Sequence, residues 1–477
     1  MFVPAAQPAP IAELVALIRQ DKTANIRPGK DVFIARAPGR LDVMGGIADY
    51  TGSLVLEMPL DVAAAVAVQR RDDRKLILKT YNADAAHASP TVELSLDDFY
   101  GTAALLPLET IKGLFTGEKR WAAYVAGAFV ILAKHRKLTR KVSGANIAVY
   151  SSVPPGSGVS SSAAIEVATL SALTAAYHLI LEPLETAVLA QKVENLIVGA
   201  PCGVMDQVTS ALGQANKLLK LCCQPHTIEG FVDVPEGLTF CGINSNVKHS
   251  VGGSAYTSTR IAAFMAHAII ARMYRDFGQK KDPTEGYLAR ITPDFYERYL
   301  RPILPEAITG ADFERDYGET IDRVTTIDPE ASYQVRSAAD HHVLENARVH
   351  EFVSRLENIR NATNASLRHL DITMLGNLML QSHQSYSNNA NLGSRETDLL
   401  VNMLLARGAA EGIYGAKITG GGSGGTVAIL IRDDDDARNA LRGVMADYEK
   451  QTGLKPDLFT GSSPGATLSE PIKLATV

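Results

Sequence analysis

At 477 residues, with 46% hydrophobic and 21% charged residues, the chain has the composition of a soluble globular protein and enough length for two domains. A net charge of -5 and the lack of any Lys/Arg-rich run argue against a protein that coats nucleic acid. Four cysteines without a CxxC pair (Cys202, Cys222, Cys223, Cys241) form neither a disulfide framework nor a zinc motif; Met1 to Pro10 lacks the basic-then-apolar order of a secretory signal, and no stretch of about 18 apolar residues is long enough to span a membrane, so a cytoplasmic enzyme with no membrane or nucleic-acid partner is expected.

Ile11 to Gln20 reads as a short helix. Val32 to Ala37 and Leu54 to Val68 read as strands, followed by Lys75 to Thr80 and Thr91 to Leu96. Trp121 to Lys134 has helical periodicity. Asn146 to Val153 alternates as a strand until Pro154-Pro155-Gly156 stops it, and Ala163, Val167, Leu170, Leu173 and Ala176 then recur at helical spacing. A Gly/Ser segment therefore lies between a strand and a helix. A division near residue 215 gives a unit of 1–215 and another of 216–477. In the second, Leu238 to Val247 reads as a strand and residues 255 to about 280 as a helix. Residues 281–335, rich in Pro, Tyr and acidic side chains, read as an irregular insertion with short helices. Ala339 to Arg360 and Leu399 to Arg407 look helical, and Ala416 to Thr419 and Thr426 to Ile431 look like two strands joined by a glycine turn. The acidic run Asp433 to Asp436 is expected to cap a helix rather than bind metal.

Five segments can carry chemistry. Gly156-Ser157-Gly158-Val159-Ser160-Ser161-Ser162-Ala163 suits phosphate: glycines let backbone N–H groups approach, the following helix adds its positive end, and hydroxyls can bond phosphate or ligate Mg²⁺. It lacks the lysine of a Walker A loop, and a serine-rich helix cap is the plain alternative. Gly420 to Gly425 matches G-x-G-x-x-G, but a strand follows it where a dinucleotide fold needs a helix. A glycine turn packed against a ligand or the first loop fits better. Ala37 to Tyr50 sets Arg40, Asp42, Asp49 and Tyr50 in a glycine-punctuated stretch, either a surface loop or a site where Arg meets phosphoryl charge and Asp meets sugar hydroxyls. Pro201 to Gln207 places Asp206 among apolar neighbours, as a candidate base or as a helix cap, and Glu194 is either a metal ligand or an exposed helix charge. Asn244 to Ser250 contains His249, more readily structural than catalytic, and Tyr256 follows.

In this order the segments resemble the GHMP kinase superfamily, named for galacto-, homoserine, mevalonate and phosphomevalonate kinases. APGRLDVMGGIADYTG is similar to the galactokinase signature, PPGSGVSSSAA to the superfamily's phosphate loop and ITGGGSGG to its C-terminal glycine motif, while PCGVMDQ, NSNVKHS and Trp121 to Val125 also look galactokinase-like. The resemblance implies an α+β, two-domain fold, with a ribosomal-S5-like N-terminal domain, an α/β C-terminal domain and an active site in the cleft between them. It implies ATP and Mg²⁺ as cofactors and a small-molecule sugar as substrate. By the same likeness Asp206 would act at the sugar O1 hydroxyl as base or orienter, with Arg40 stabilising the phosphoryl group and holding Asp206 ionised. Gly156 to Ala163 would cradle the ATP phosphates, and Ser162 and Glu194 would ligate Mg²⁺. Arg40, Gly46, Asp49, Gly203, Asp206 and Tyr256 would form the sugar site.

The chain departs from galactokinases at Gly46 and Ile47, where those enzymes usually carry Glu-His, associated with the 6-hydroxymethyl end of galactose. Losing that acceptor disfavours a buried hydroxyl, and L-arabinopyranose has the ring stereochemistry of D-galactose without the CH₂OH group. GRLDVMGGIADYTGSLVLEMPL, the insertion after Tyr256 and SHQSYSNNANLGSRETDLLV look like the L-arabinokinase branch. A sugar 1-kinase acting on L-arabinose is therefore expected, with D-galactose as the alternative sugar and an inactive ATP- and sugar-binding sensor as the alternative class. Gly46→Glu with Ile47→His is expected to raise D-galactose use.

Overall fold

The computed structural model describes residues 9–27, 29–82, 88–102, 104–247, 254–278, 282 and 284–474. Among them no helix is long and apolar enough to cross a membrane. His249 lies outside the described residues.

Two sheets organise the chain. The larger has eight strands. At its centre the long strands Val32–Met44 and Leu54–Arg70 pair antiparallel, from Phe33 opposite Val68 to Met44 opposite Leu56. Ala145–Ser151 lies antiparallel to the second of these and parallel to Lys75–Thr80, which pairs in turn with Thr91–Ser95. Both long strands are buried nearly end to end, because helices cover one face while the helix Ala9–Gln20 and the C-terminal half share the other, so they read as continuous apolar runs rather than alternating ones. The smaller sheet has four antiparallel strands, in the order Ile413–Ile418, Thr426–Arg432, Leu238–Asn244, Asp457–Phe459.

Sheet membership runs past residue 215. Lys217–Cys222 pairs with the strand ending at Arg70, Thr227–Asp233 pairs with Lys217–Cys222, and the late strand Ile472–Leu474 returns to pair with Val32–Ile34. By hydrogen bonding, the larger sheet extends to Asp233 and includes the late strand Ile472–Leu474. The strand containing Arg40 is also longer than the sequence suggests. Pro38-Gly39 looks like a stop, but pairing resumes after a register shift between Pro38 and Arg40, because a bulge accommodates a proline that cannot donate to the ladder.

The insertion holds short helices, notably Pro293–Phe295 and Gly310–Tyr317, and a two-stranded ribbon of Ile308–Thr309 with Ser332–Tyr333. Two long helices follow, Val335–Asn361 and Ala365–Asn388, and the second was not legible in the sequence. The acidic run caps a helix as expected: the Asp434 side chain accepts from the Ala437 N–H at 2.9 Å at the start of Asp435–Thr452.

Candidate active site

A cleft of about 730 Å³ opens between the two halves. Arg40, Asp49, Gly156, Gly158, Ser160, Ser161, Ser162, Glu194, Gly203, Asp206 and Tyr256 all line it. Gly46, Ser157, Val159 and Ala163 do not.

At the phosphate end, the strand Ala145–Ser151 runs into the Gly/Ser loop and then the helix Ser161–Tyr177. Gly156 (φ +74°), Gly158 (φ +76°) and Ser160 (φ +63°) are left-handed, which turns the loop tightly around the helix N-terminus. Ser160 Oγ is buried without a hydrogen-bond partner among the described residues. Ser157 instead donates its hydroxyl to the Pro154 carbonyl, and Val159 and Ala163 are core residues. The C-terminal glycine turn clamps this loop. Thr426 Oγ1 donates to the Ser157 carbonyl at 2.7 Å, and a Cβ on Gly420 (φ +67°) would lie 2.7 Å from the Gly158 carbonyl and 3.1 Å from an Arg40 nitrogen. This turn therefore needs glycine for close approach.

At the centre, Arg40 Nε donates to Asp206 Oδ1 at 2.9 Å and Nη2 approaches the same oxygen at 2.7 Å. Nη1 donates to the Gly158 carbonyl at 2.7 Å. Burial opposes the charge of Arg40, but Asp206, Glu57 and Asp42 outweigh it and hold its pKa above the usual value. Asp206, in the first turn of the helix Met205–Leu212, keeps Oδ2 without a protein partner among the described residues, and its side chain is 22% exposed in the cleft. Glu57, 3.3 Å from Arg40 Nε, is fully buried with neither oxygen hydrogen-bonded among the described residues; desolvation and then Asp42 push its pKa well up. Behind it, the buried Lys417 donates to Asp42 at 2.9 Å.

Beside Asp206 lies a second acidic group. Glu194 opens a single π-helical turn, Glu194–Val198, a feature common at functional sites. It accepts from Gln207 Nε2 at 2.7 Å, and Ser162, Cys202 and Glu166 lie close enough to influence its charge. Desolvation and the Asp206 charge raise its pKa to about 7, and Glu166 is raised well above its usual value by desolvation and then by Glu194. Asp206 raises Glu194 and Glu194 raises Glu166, so this is a place where a cation would be favoured. Among the described residues no cluster of three His, Cys, Asp or Glu side chains could hold a metal ion by itself. One carboxylate and one hydroxyl, completed by phosphate and water oxygens, is nonetheless a donor set that suits Mg²⁺.

At the sugar end, Asp49 sits in the 3₁₀ turn Gly46–Thr51, where the backbone N–H groups of Tyr50 and Met205 favour its charged form. Desolvation, and then Asp206, raise its pKa to about 7. A Cβ on Gly203 would lie 1.6 Å from the Asp49 carboxylate, so only glycine lets these two segments meet. Tyr256 packs edge-on against Tyr50 with ring centroids 6.0 Å apart. The structure changes the reading of Gly46. At φ +46° its missing Cβ would lie 1.5 Å from the Tyr386 hydroxyl, so Tyr386 fills the space a side chain at 46 would take. That hydroxyl is already used: it accepts from the Ile47 N–H at 2.9 Å and donates to the Gly420 carbonyl at 2.9 Å. Ile47, not Gly46, reaches the cleft.

Sequence reasoning missed Tyr386, Glu57 and the role of Lys417. Each acts across a long stretch of chain; Tyr386, for instance, bonds a residue 339 positions away. Tyr386 lies within SHQSYSNNANLG, a segment the resemblance singled out without giving it a job. The far end of the cleft is lined by Thr80, Asn82, Trp121 and Tyr124, two of them from the Trp121 to Val125 stretch.

The family models describing the GHMP kinases N terminal domain, the GHMP kinases C terminal and the galactokinase galactose-binding signature match residues 123–214, 363–450 and 26–70. The chain is 39% identical to the L-arabinokinase of Arabidopsis thaliana over 92% of its own length, spanning about half (46%) of that longer protein. It is 31% identical to a galactokinase of Actinobacillus pleuropneumoniae serotype 5b (strain L20), covering 88% of this chain and 90% of that one. Its fold matches Lactococcus lactis galactokinase complexed with galactose at a TM-score of 0.71 with 21% identity, over 95% of this chain and 98% of that chain. Methanococcus jannaschii mevalonate kinase matches at 0.52 with 14% identity, over 90% and 98%. The cleft between two α+β halves is thus the shared fold, and this chain belongs to the GHMP kinases, within the group that carries the galactokinase signature.

Proposed function

We propose that this protein transfers the γ-phosphoryl group of ATP to the anomeric hydroxyl of a monosaccharide, and that the sugar is L-arabinose. The observation that carries the transfer is the Arg40–Asp206 pair, with Arg40 tied to the phosphate loop through Gly158 and Asp206 keeping one oxygen unpartnered in the cleft. Phosphoryl transfer needs positioning and charge neutralisation more than covalent chemistry. Asp206 Oδ2 orients the O1 hydroxyl and takes its proton; Arg40 offsets charge on the moving phosphoryl group; the Gly156 to Ser162 loop and its helix N-terminus hold the remaining phosphates. Ser162 and Glu194 would hold a Mg²⁺ ion, which supplies charge shielding on the ATP phosphates. Trp121 and Tyr124 offer flat faces suited to the adenine ring.

The choice of sugar rests on Tyr386 and Ile47. A hexose hydroxymethyl group pointed at this wall would find the apolar Ile47 side chain, and the Tyr386 hydroxyl buried behind it already has both of its bonds made. An unpaired buried hydroxyl costs about 1–3 kcal/mol, or roughly 5- to 150-fold in preference. This also revises the Gly46→Glu, Ile47→His exchange: a side chain at 46 collides with Tyr386, so the pair disrupts the wall instead of converting it.

The test is ADP release from Mg-ATP with L-arabinose, D-galactose, D-glucuronate and no sugar, measured side by side. Sugar-dependent release, fastest on L-arabinose, is the expected result. Fastest release on D-galactose keeps the kinase and refutes the Tyr386 argument. Sugar-induced thermal stabilisation without ADP release refutes the kinase in favour of a sensor.

A further inference from the structure

Residues 284–335 have no place in the phosphoryl-transfer chemistry, yet they reach the sugar end of the cleft through a buried ion pair. Arg260, on the helix Ser254–Asp276, is only 5% exposed. Its Nε and Nη2 donate to the two carboxylate oxygens of Asp322, each at 2.9 Å, in a bidentate fork. Asp322 is equally enclosed, with its side chain 3% exposed, and is itself fixed by Thr325 Oγ1 at 2.6 Å and the Val324 N–H at 3.1 Å. From this fork the guanidinium lies 4.8 Å over the Tyr50 ring, and Nη1 donates to the Pro201 carbonyl at 3.4 Å. Tyr50 follows Asp49 and packs on Tyr256, and Pro201 precedes Gly203 by two residues. Arg260 therefore braces the immediate neighbours of three residues assigned to the sugar site. Its charge also acts on Asp49 directly.

The insertion is packed as a wall. Leu288, Ile291, Tyr296, Phe313 and Tyr333 share one apolar core with Ile47, Tyr50 and Tyr256. Tyr287 lies so close to Gly52 that a Cβ there would be 2.8 Å from its own Cβ. Asn346 joins the two sides, donating to the Ala289 carbonyl at 2.8 Å and accepting from the Leu54 N–H at 2.9 Å. A lid that opens at each turnover would have to break this core.

We propose that segment 284–335 is a fixed wall of the sugar site and that Asp322 is its positioning residue: by forking Arg260 it holds Tyr50 and the Pro201 loop in place and keeps the guanidinium off Asp49. This rests on the sugar-kinase reading above. Without Asp322 the buried cation must find another anion, and Asp49 is the sugar-site carboxylate already within its field. A carboxylate engaged by Arg260 is lost to sugar hydroxyls.

The experiment is steady-state kinetics of the full chain and of Asp322→Asn, Asp322→Glu and Thr325→Val, varying sugar and ATP separately, with ATP-dependent thermal stabilisation as the check on folding. Asp322→Asn is expected to raise the sugar KM about tenfold or more while the ATP KM and kcat stay within about threefold, because a buried charge partner is removed at one end of the cleft only. Asp322→Glu is expected to recover part of that loss. Equal changes in both KM values, or lower thermal stability with unchanged sugar KM, would overturn the proposal by making the pair structural only. If Asp322→Asn does not fold, Thr325→Val decides: a sugar-selective KM rise of about two- to threefold is expected from losing one bond to Asp322, and no selective change overturns the proposal. A wild-type chain that turns over no sugar would instead remove the kinase reading, and this inference with it.

Discussion

The two ends of the cleft are built differently. The phosphate end is made of backbone: three left-handed residues, a helix N-terminus and a glycine turn pressed against them. The sugar end is made of side chains delivered from far apart: Asp49 and Ile47 from one turn, Tyr256 and Arg260 from a helix, Tyr386 from another, Asp322 from the insertion. A backbone site tolerates many changes of neighbour but no Cβ in the wrong place. A side-chain site can be retuned by one distant residue. Such a division lets one fold keep its phosphoryl chemistry while its sugar changes.

The sharpest break of this comparison lies between the ends, at Asp206. Asp206→Asn is expected to lower kcat on the order of 10²-fold or more while ATP still binds, since both ends stay intact and only the reacting contact is lost. Full turnover in this variant, measured by ADP release, would remove Asp206 from the chemistry. Next in size is Gly420→Ala. Its Cβ meets the Gly158 carbonyl and Arg40 at positive φ, so the ATP KM is expected to rise by roughly tenfold or more with a smaller change in sugar KM. A change confined to the sugar KM would invert the comparison.

The pH dependence of sugar binding sharpens the account at the other end. Asp49 has its pKa raised to about 7 by burial and then by Asp206, and its ionised form is the better acceptor for sugar hydroxyls. The sugar KM is therefore expected to fall as pH rises through about 7, by up to roughly tenfold per unit below it, and Asp49→Asn should abolish the trend. The sign for stability is opposite. A folded pKa raised above the usual 3.8 contributes stability below about 4 that is lost as pH rises through about 7, so the sugar-free protein should lose more stability over this range than Asp49→Asn does. The smallest effect is expected at Tyr386→Phe, which frees the Ile47 N–H and the Gly420 carbonyl. Preference for L-arabinose over D-galactose should relax by a few-fold, read as a ratio of kcat/KM values.

How much was legible follows the same line. The phosphate loop could be read because its strand, glycines and helix are contiguous, and the capping Asp434 because caps are local. Arg40 was read as a candidate, but its strand was ended too early, since a Pro-Gly pair signals a stop unless tertiary pairing resumes beyond a bulge. The helix Ala365–Asn388 was missed because it is packed on several sides and buries Gly376, Ser382, His383 and Ser385 among its apolar residues, which breaks the stripe that periodicity relies on. Tyr386 and the Arg260–Asp322 fork were illegible for a simpler reason: their partners are distant in the chain, and nothing local records the meeting.

The most direct measurement is the ratio of kcat/KM for L-arabinose to that for D-galactose on the purified chain with saturating Mg-ATP. A wall formed by Ile47 and backed by a fully bonded, buried Tyr386 should give a ratio of about ten or more. A ratio of one or below would contradict the claim that this wall selects the sugar.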